Sequence, residues 1–116
     1  MSPNKQVVDE YMEGFRRGDH ARILACLTDD VEWEIPGHFR IQGKDAFDGH
    51  IEGEGFSGLP EIAVSRLTEE RDVVIAEGSV RAHRSDGAVV DLAFRDVFEM
   101  REGRIRKLVS YLVPVG

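Results

Sequence analysis

One carboxylic acid stands among large apolar residues in the second half of the chain. The segment Ala88–Met100 is predicted to be a strand, and the side chains on its more apolar face are Val90, Leu92, Phe94, Asp96 and Phe98. We expect that face to point toward the helices. A carboxylate in such surroundings must be hydrogen-bonded, paired with a cation, or protonated. Asp96 is therefore the first candidate for acid–base chemistry, the alternatives being a satisfied buried acid or a register that exposes it.

Other chemistry has little local support in the sequence. The four histidines, His20, His38, His50 and His83, show neither HxH nor HExxH spacing, so no metal site is predicted. The glycine cluster at 53–58 matches neither a dinucleotide-binding fingerprint nor a phosphate-binding loop, and no GxSxG nucleophile motif is present. We therefore predict no cofactor.

Composition restricts the class of protein. The 116 residues are 41% hydrophobic and carry a net charge of −7, which fits one acidic domain spanning 1–116 with its own core. Nucleic acid is not an expected partner, because phosphate contacts need clustered Lys and Arg. No apolar run reaches a membrane span, no signal peptide is evident, and the single Cys26 cannot form an internal disulfide. A cytoplasmic location is the default expectation.

Helices are predicted in the first half of the chain. Apolar residues recur at helical spacing over Pro3–Arg17, with Ser2 as the N-cap and Gly18 as the stop. Asp19 is expected to cap a second helix that runs through Leu27. A strand is predicted over Val31–Ile35, and a third helix opens at Gly43 and ends in a glycine-rich loop.

The second half reads as strands over 62–67, 72–84, 88–100 and 104–113, joined by turns that include Asp86-Gly87 and Glu102-Gly103. Helices followed by an antiparallel meander indicate an α+β domain. Strands this long must twist or curl, and a curled sheet closed by helices makes a cavity.

Periodicity does not decide which of the two faces of the predicted strand over 72–84 points into the core. One carries the small apolar residues Val74, Ala76, Gly78, Val80 and Ala82, and the other carries Glu77, Arg81 and His83 among its members. The polar face lines the cavity if the small face packs on a sheet or a second subunit. It is merely solvated if the small face belongs to the core.

Several segments together resemble the nuclear transport factor 2-like superfamily. The similarity is carried by YMEGFRRGDHARI at 11–23, LTDDVEW at 27–33, IQGKDAF at 41–47 and DVFEMREGRI at 96–105. The resemblance implies a cone-shaped, strongly curved, mostly antiparallel sheet wrapped around the N-terminal helices, a cystatin-like roll. It also implies a homodimer that pairs through the outer face of the sheet. The small apolar stripe Val74, Ala76, Val80 and Ala82, which should be covered, is the expected interface.

Two branches of that superfamily bear on the site. In ketosteroid isomerases a helical Tyr and a sheet Asp form the oxyanion hole, and these positions match Tyr11 and Asp96 here, while the proton-moving Asp falls on Ile35. In SnoaL-like polyketide cyclases an Asp at the position of Asp96 is itself the acid–base residue. The His-Trp-Asp ending of that branch is replaced by Leu108-Val109-Ser110, and the acid of the related epoxide hydrolases by Ser110.

The resemblance also bears on which residues contact a ligand. It favours the polar face of 72–84 as cavity wall, with Arg81 or His83 holding Asp96 ionised; without a cation, desolvation keeps Asp96 protonated. The full set of predicted ligand contacts is Trp33, His38, His50, Glu77, Arg81, His83, Phe94 and Phe98. For Trp33 the pattern favours a core position over ligand stacking, and His38 or His50 is the reserve base.

Two functions of different class follow. The first is a cofactor-free isomerase, cyclase or lyase in which Asp96 moves a proton beside a carbonyl of a small apolar substrate and Tyr11 stabilises the enolate oxygen. The second is a non-catalytic small-molecule binding or accessory protein built on the same cavity, which the loss of the base at Ile35 favours.

Overall fold

Three helices and one open six-stranded sheet form the domain. The computed structural model describes residues 1–116. The elements are α1 (Pro3–Arg17), α2 (His20–Leu24), β1 (Leu27–Ile35), β2 (Phe39–Gln42), α3 (Lys44–His50), β3 (Phe56–Glu70), β4 (Val73–Arg84), β5 (Val89–Arg101) and β6 (Arg104–Pro114). The strand order is β2-β1-β6-β5-β4-β3, in which only the β1–β6 pair is parallel. The predicted α+β class is confirmed.

Helix α1 begins and ends where its sequence predicts. The Ser2 hydroxyl accepts a hydrogen bond from the backbone N–H of Lys5 at 3.1 Å, and Pro3 fills the first helical position. Gly18 ends the helix in the left-handed conformation, at φ 62°. The helix lies against β3, β4 and β6 and buries Val8, Tyr11 and Met12 on them.

Helix α2 is shorter than predicted. Asp19 caps it as expected, but it ends at Leu24 rather than Leu27. Leu27 is instead the first residue of β1, where it pairs with Ile105 of β6. Tertiary pairing with the last strand therefore overrides the helical pattern at this boundary.

The strands also depart from their predicted limits at two places. Strand β2 was not predicted, because its four residues have no alternation long enough to detect and depend on pairing with β1. Strand β3 begins at Phe56, inside the predicted glycine loop, and pairs with the whole of β4. It is an edge strand that contains Pro60 and two register shifts.

Small residues of β4 belong to the core. Val74 and Ala76 are fully buried, and Val80 packs against the same hydrophobic cluster. The prediction that the stripe of Val74, Ala76, Val80 and Ala82 is an uncovered dimer interface is therefore wrong, since helix α1 and the aromatic residues of the core already lie on this side of the sheet.

The core is largely aromatic at the centre of the domain. Phe47 of α3 stacks on Trp33 of β1 with ring centroids 4.5 Å apart, and Tyr11 meets Phe98 of β5 edge-on at 5.3 Å. These contacts join α1 and α3 to the same face of the sheet. None of the helices has the length and apolarity needed to cross a membrane.

Gly78 of β4 is required by a close approach of β3. A Cβ atom at this position would lie 1.9 Å from the carbonyl oxygen of Ala63, a backbone atom that cannot move aside cheaply. We expect Gly78→Ala to destabilise the protein by about 1–3 kcal/mol or more, as overpacking does. Urea denaturation followed by circular dichroism measures the change.

Gly49 of α3 is the matched control for Gly78. A Cβ atom at Gly49 meets nothing within 4 Å, and alanine in a helix is favoured over glycine by roughly 0.5–1 kcal/mol. Gly49→Ala should therefore leave stability unchanged or raise it. Equal stability of the two variants would contradict the close approach at Gly78.

Candidate functional site

An apolar pocket opens between helix α1 and the inner face of the sheet. Its volume is about 120 Å³. Its lining residues come from α1, β1 and β3 to β6, and are Tyr11, Met12, Phe15, Trp33, Ile35, Ile62, Val80, Phe94, Asp96, Ser110 and Leu112. Nine of these eleven are hydrophobic, so the carboxyl of Asp96 and the hydroxyls of Tyr11 and Ser110 are the polar groups available to a ligand.

Asp96 reaches this pocket because β5 alternates as its sequence predicts. Phe94 and Phe98 on the same face are buried, and Asp96 between them is half-buried, with the pocket in front of it. Desolvation by burial raises the pKa of Asp96 to about 7, and a hydrogen bond with Ser110 acts in the opposite direction. The carboxyl is therefore divided between its neutral and charged forms near neutral pH.

Tyr11 stands above the same carboxyl. Its side chain is 3% exposed and packs against Phe15 and Phe98. Burial raises its pKa well above the usual range, and the charge of Asp96 raises it further. The phenol therefore keeps its proton at neutral pH and can donate a hydrogen bond to a ligand oxygen.

Trp33 serves the site through its indole N–H. The Nε1 atom donates to the Ser110 hydroxyl oxygen at 3.2 Å, in a buried contact between β1 and β6. Ser110 in turn lies directly opposite Asp96 in the β5–β6 register. Trp33 is thus both a core residue and part of the pocket wall, and its polar atom is engaged within the protein.

Two of the predicted ligand contacts lie at the surface around α3. His50 is exposed, and its Nδ1 atom bonds to the carbonyl oxygen of Ala46 at 2.9 Å. His38 is exposed in the turn between β1 and β2. Neither lines the pocket, because the stacked rings of Phe47 and Trp33 lie on the inner side of α3. Phe98 is fully buried beneath Tyr11 and does not reach the pocket surface.

The polar residues of β4 lie on the outer face of the sheet, and their prediction as cavity wall is wrong. Val80 occupies the pocket side, so alternation turns Arg81, Glu77 and His83 outward. Each finds a partner there: Glu77 binds Arg95 at 2.8 Å and Arg66 at 2.5 Å, Arg81 binds Asp91 at 2.8 Å, and His83 binds Glu61 at 3.1 Å.

This placement leaves Asp96 without the cation that was predicted to hold it ionised. Arg81 and His83 cannot hold the carboxyl ionised from the opposite face, and no positively charged side chain lines the pocket. The pKa is instead raised by desolvation, the alternative predicted for an acid that no cation reaches.

Sequence reasoning missed several apolar members of the wall. Met12 and Phe15 lie on the same helical face as Tyr11, and Leu112 lies two residues after Ser110 on the same face of its strand. Periodicity could therefore have placed all three on the pocket side. Whether Ile62 and Val80 reach the pocket depends on which face of β4 points inward, and the sequence pattern does not decide this. No group of three or more His, Cys, Asp or Glu residues is arranged to hold a metal ion.

Comparison with known proteins identifies the fold. The family model described as a SnoaL-like domain matches residues 8–108. Among solved structures, a nuclear transport factor 2-like protein of unknown function from Burkholderia pseudomallei superposes with a TM-score of 0.87 at 26% identity, covering 97% of this chain and 92% of that one. The predicted cone-shaped fold is thereby confirmed.

Two other solved structures carry functional names. An epoxide hydrolase of the LEH-like type from M. tuberculosis has a TM-score of 0.84 at 22% identity, covering 96% of this chain and 83% of its own. A candidate polyketide cyclase from Xanthomonas campestris has a TM-score of 0.83 at 24% identity, covering 94% and 89%. At these identities the likeness concerns the fold alone. Curated proteins show no significant match to the chain.

The raised pKa of Asp96 gives the stability of the protein a defined dependence on pH. Because the folded-state pKa is near 7 and the unfolded value is 3.8, the favourable contribution of the protonated form is complete below pH 4 and is lost as pH rises through 7. Asp96→Asn removes that loss. We expect the variant to gain stability over the native protein by up to about 4 kcal/mol between pH 4 and pH 8, measured by urea denaturation at each pH.

Asp91→Asn is the control on the same strand. Asp91 lies on the outer face, and the Arg81 guanidinium beside it lowers its pKa. Its contribution is therefore present above its unfolded pKa and is lost as pH falls, which is the opposite direction. A pH profile of Asp96→Asn that runs parallel to the native profile would contradict the desolvated state of Asp96.

Proposed function

The chain belongs to the SnoaL-like domain family, and we propose that its pocket catalyses proton transfer at the carbon next to the carbonyl group of a small apolar ligand, without a cofactor. The observation that carries the proposal is the desolvated Asp96 carboxyl, with a pKa of about 7, in a pocket that Tyr11 shares. A general acid–base group is most effective when its pKa lies near the working pH.

The ligand must suit a pocket with apolar walls. No cationic side chain lines it, so nothing there offers a charge partner to a phosphate or a carboxylate. The volume of about 120 Å³ accommodates a group of about the size of one ring. A neutral compound with one carbonyl oxygen fits both conditions.

The proposed reaction begins with Asp96 in its ionised form. The carboxylate takes a proton from the carbon next to the carbonyl, and the electron pair of that C–H bond moves to give an enolate. Tyr11 donates a hydrogen bond to the enolate oxygen, where negative charge develops. The protonated Asp96 then returns the proton to a carbon of the same ligand, which restores the carboxylate and gives the isomer.

Ile35 determines how this proposal differs from the ketosteroid isomerase pattern. It lines the pocket at the position where the resemblance puts a proton-moving Asp. Isoleucine cannot carry a proton, so in this chain the single acid Asp96 has to do so. The same substitution favours the second candidate function, a binding or accessory protein that holds a ligand without reacting with it.

Exchange of deuterium into small cyclic ketones, followed by NMR, tests the enzymatic proposal. Loss of the acid–base group in Asp96→Asn should lower the exchange rate at least about 100-fold. Loss of the hydroxyl in Tyr11→Phe should lower it by a similar factor, since it removes the donor to the enolate oxygen. The control Asp91→Asn, on the outer face, should exchange at the native rate.

Two outcomes would contradict catalysis by this route. One is exchange by Asp96→Asn at the native rate, which removes Asp96 from the mechanism. The other is a ketone that binds in the pocket, by NMR shift changes at Phe94 and Trp33, with no exchange in the native protein. The second outcome supports the binding function.

We also propose that the chain forms a homodimer through the outer face of the sheet, which the resemblance implies. Tyr111 and Val113 of β6 are 50% and 58% exposed on that face, beside Arg95 and Ala93 of β5. The charged residues around them are paired with one another within the chain. A second copy presents the same surface and can cover these apolar side chains without leaving unpaired charges.

Val113→Glu should dissociate this dimer, because it puts an additional carboxylate of each copy into the contact. Sedimentation velocity at micromolar concentration measures the change in mass. Leu59→Glu is the control, since Leu59 is equally exposed, at 55%, but lies beside Gly18 at the end of α1. A native protein that sediments as a monomer would contradict the dimer, and dissociation by both variants would contradict this face.

A further inference from the structure

The Ser110 hydroxyl lies between the indole N–H of Trp33 on β1 and the carboxyl of Asp96 on β5. Ser110 is 5% exposed and accepts the hydrogen bond of Trp33 at 3.2 Å. It is the direct cross-strand partner of Asp96, and both side chains line the pocket. The three side chains thus follow one another from β1 to β6 to β5 across the pocket wall.

The direction of these hydrogen bonds follows from the groups involved. An indole N–H only donates, so the Ser110 oxygen is the acceptor in the contact with Trp33. An ionised carboxylate only accepts, so a hydrogen bond between Ser110 and the charged Asp96 uses the single hydroxyl hydrogen of Ser110. The arrangement therefore matches the charged form of Asp96 and fits its neutral form less well.

Trp33 is held in place independently of any ligand. Its ring stacks on Phe47 at 4.5 Å and meets Phe39 edge-on at 5.1 Å, so α3 and β2 fix the plane of the indole. The N–H therefore has one direction available to it, toward β6. The indole can therefore orient the Ser110 hydroxyl before any ligand binds.

We propose that Trp33 and Ser110 are positioning residues that direct one hydroxyl hydrogen at Asp96 and so favour its ionised, proton-accepting form in an otherwise apolar pocket. The proposal rests on the proposed function for its catalytic meaning. Its physical content is narrower: the buried Ser110 hydroxyl favours the charged form of the acid, and the buried Trp33 N–H acts through that hydroxyl.

The other neighbours of Asp96 leave this role to Ser110. Ala76 of β4 is its partner on the opposite side and offers no polar side-chain atom. Tyr11 of α1 is the titratable group that faces it, and its high pKa keeps it neutral. Burial raises the pKa of Asp96, and the Ser110 hydrogen bond is the influence that lowers it.

The test measures the ionisation of Asp96 directly in the ligand-free protein. The ¹³C shift of its carboxyl carbon is followed against pH by NMR. Ser110→Ala should raise the midpoint by about one to two pH units, since a hydrogen bond to a charged group is lost. Ser110→Thr keeps the hydroxyl and should return the midpoint toward the native value. Ser110→Cys keeps the size but donates weakly, and should fall between the two.

Trp33→Phe separates orientation from simple contact. With no N–H to hold it, the Ser110 hydroxyl can turn and accept a hydrogen bond from the neutral Asp96 carboxyl, so the midpoint should rise, but by less than in Ser110→Ala. The double variant Trp33→Phe with Ser110→Ala should match Ser110→Ala alone, because the indole acts through the hydroxyl. If the shifts of the midpoint were additive in the double variant, Trp33 would not act through Ser110, and the proposal would be overturned.

The outcomes distinguish this proposal from the proposed function. A shifted midpoint in Ser110→Ala together with no ketone exchange by the native protein supports the positioning role and contradicts the catalytic one. Ketone exchange that depends on Asp96, with an unchanged midpoint in a folded Ser110→Ala or Ser110→Cys variant, overturns the positioning role and leaves the catalytic one standing. Where both hold, the pH profile of exchange should move with the midpoint.

Discussion

Helix α1 lies across the inner face of the sheet, and its aromatic side chains separate the Asp96 carboxyl from bulk water. The loss of hydration is what raises the pKa of Asp96 to about 7. The rest of the site places no second charge beside this desolvated carboxyl. Tyr11 stays neutral, Ser110 provides a hydrogen bond, and the other side chains of the wall are apolar. The packing of α1 and the pKa of Asp96 are therefore coupled, because any change that loosens α1 lets water reach the Asp96 carboxyl.

The order of elements follows from local patterns in the sequence. Ser2 and Gly18 mark the ends of α1, and Glu102-Gly103, both with positive φ, form the turn between β5 and β6. Strict alternation in β5 was sufficient to turn Asp96 inward. Where a boundary depends on a distant partner, as at Leu27 or in β2, the local pattern carries no information about it.

The wall of the pocket was less accessible to sequence reasoning. Small residues such as Ala76 and Gly78 fit a core face and a subunit contact equally well, so alternation in β4 left two solutions. In the structure, α1 packs on the face that carries the small residues, and this tertiary contact decides between the two solutions. Ser110 was visible only as the substitute for an acid, and its link to Trp33 spans 77 positions of the chain.

Strand β3 ends the sheet with fifteen residues whose outer hydrogen-bonding groups have no neighbouring strand. Such an edge is a template on which a further strand can add. Here Pro60 removes one donor, the two register shifts bend the strand away from a straight ladder, and Arg66 and Glu70 place charge along it. These features of β3 disfavour the addition of a further strand, and hence aggregation, at the longer of the two edges of the sheet.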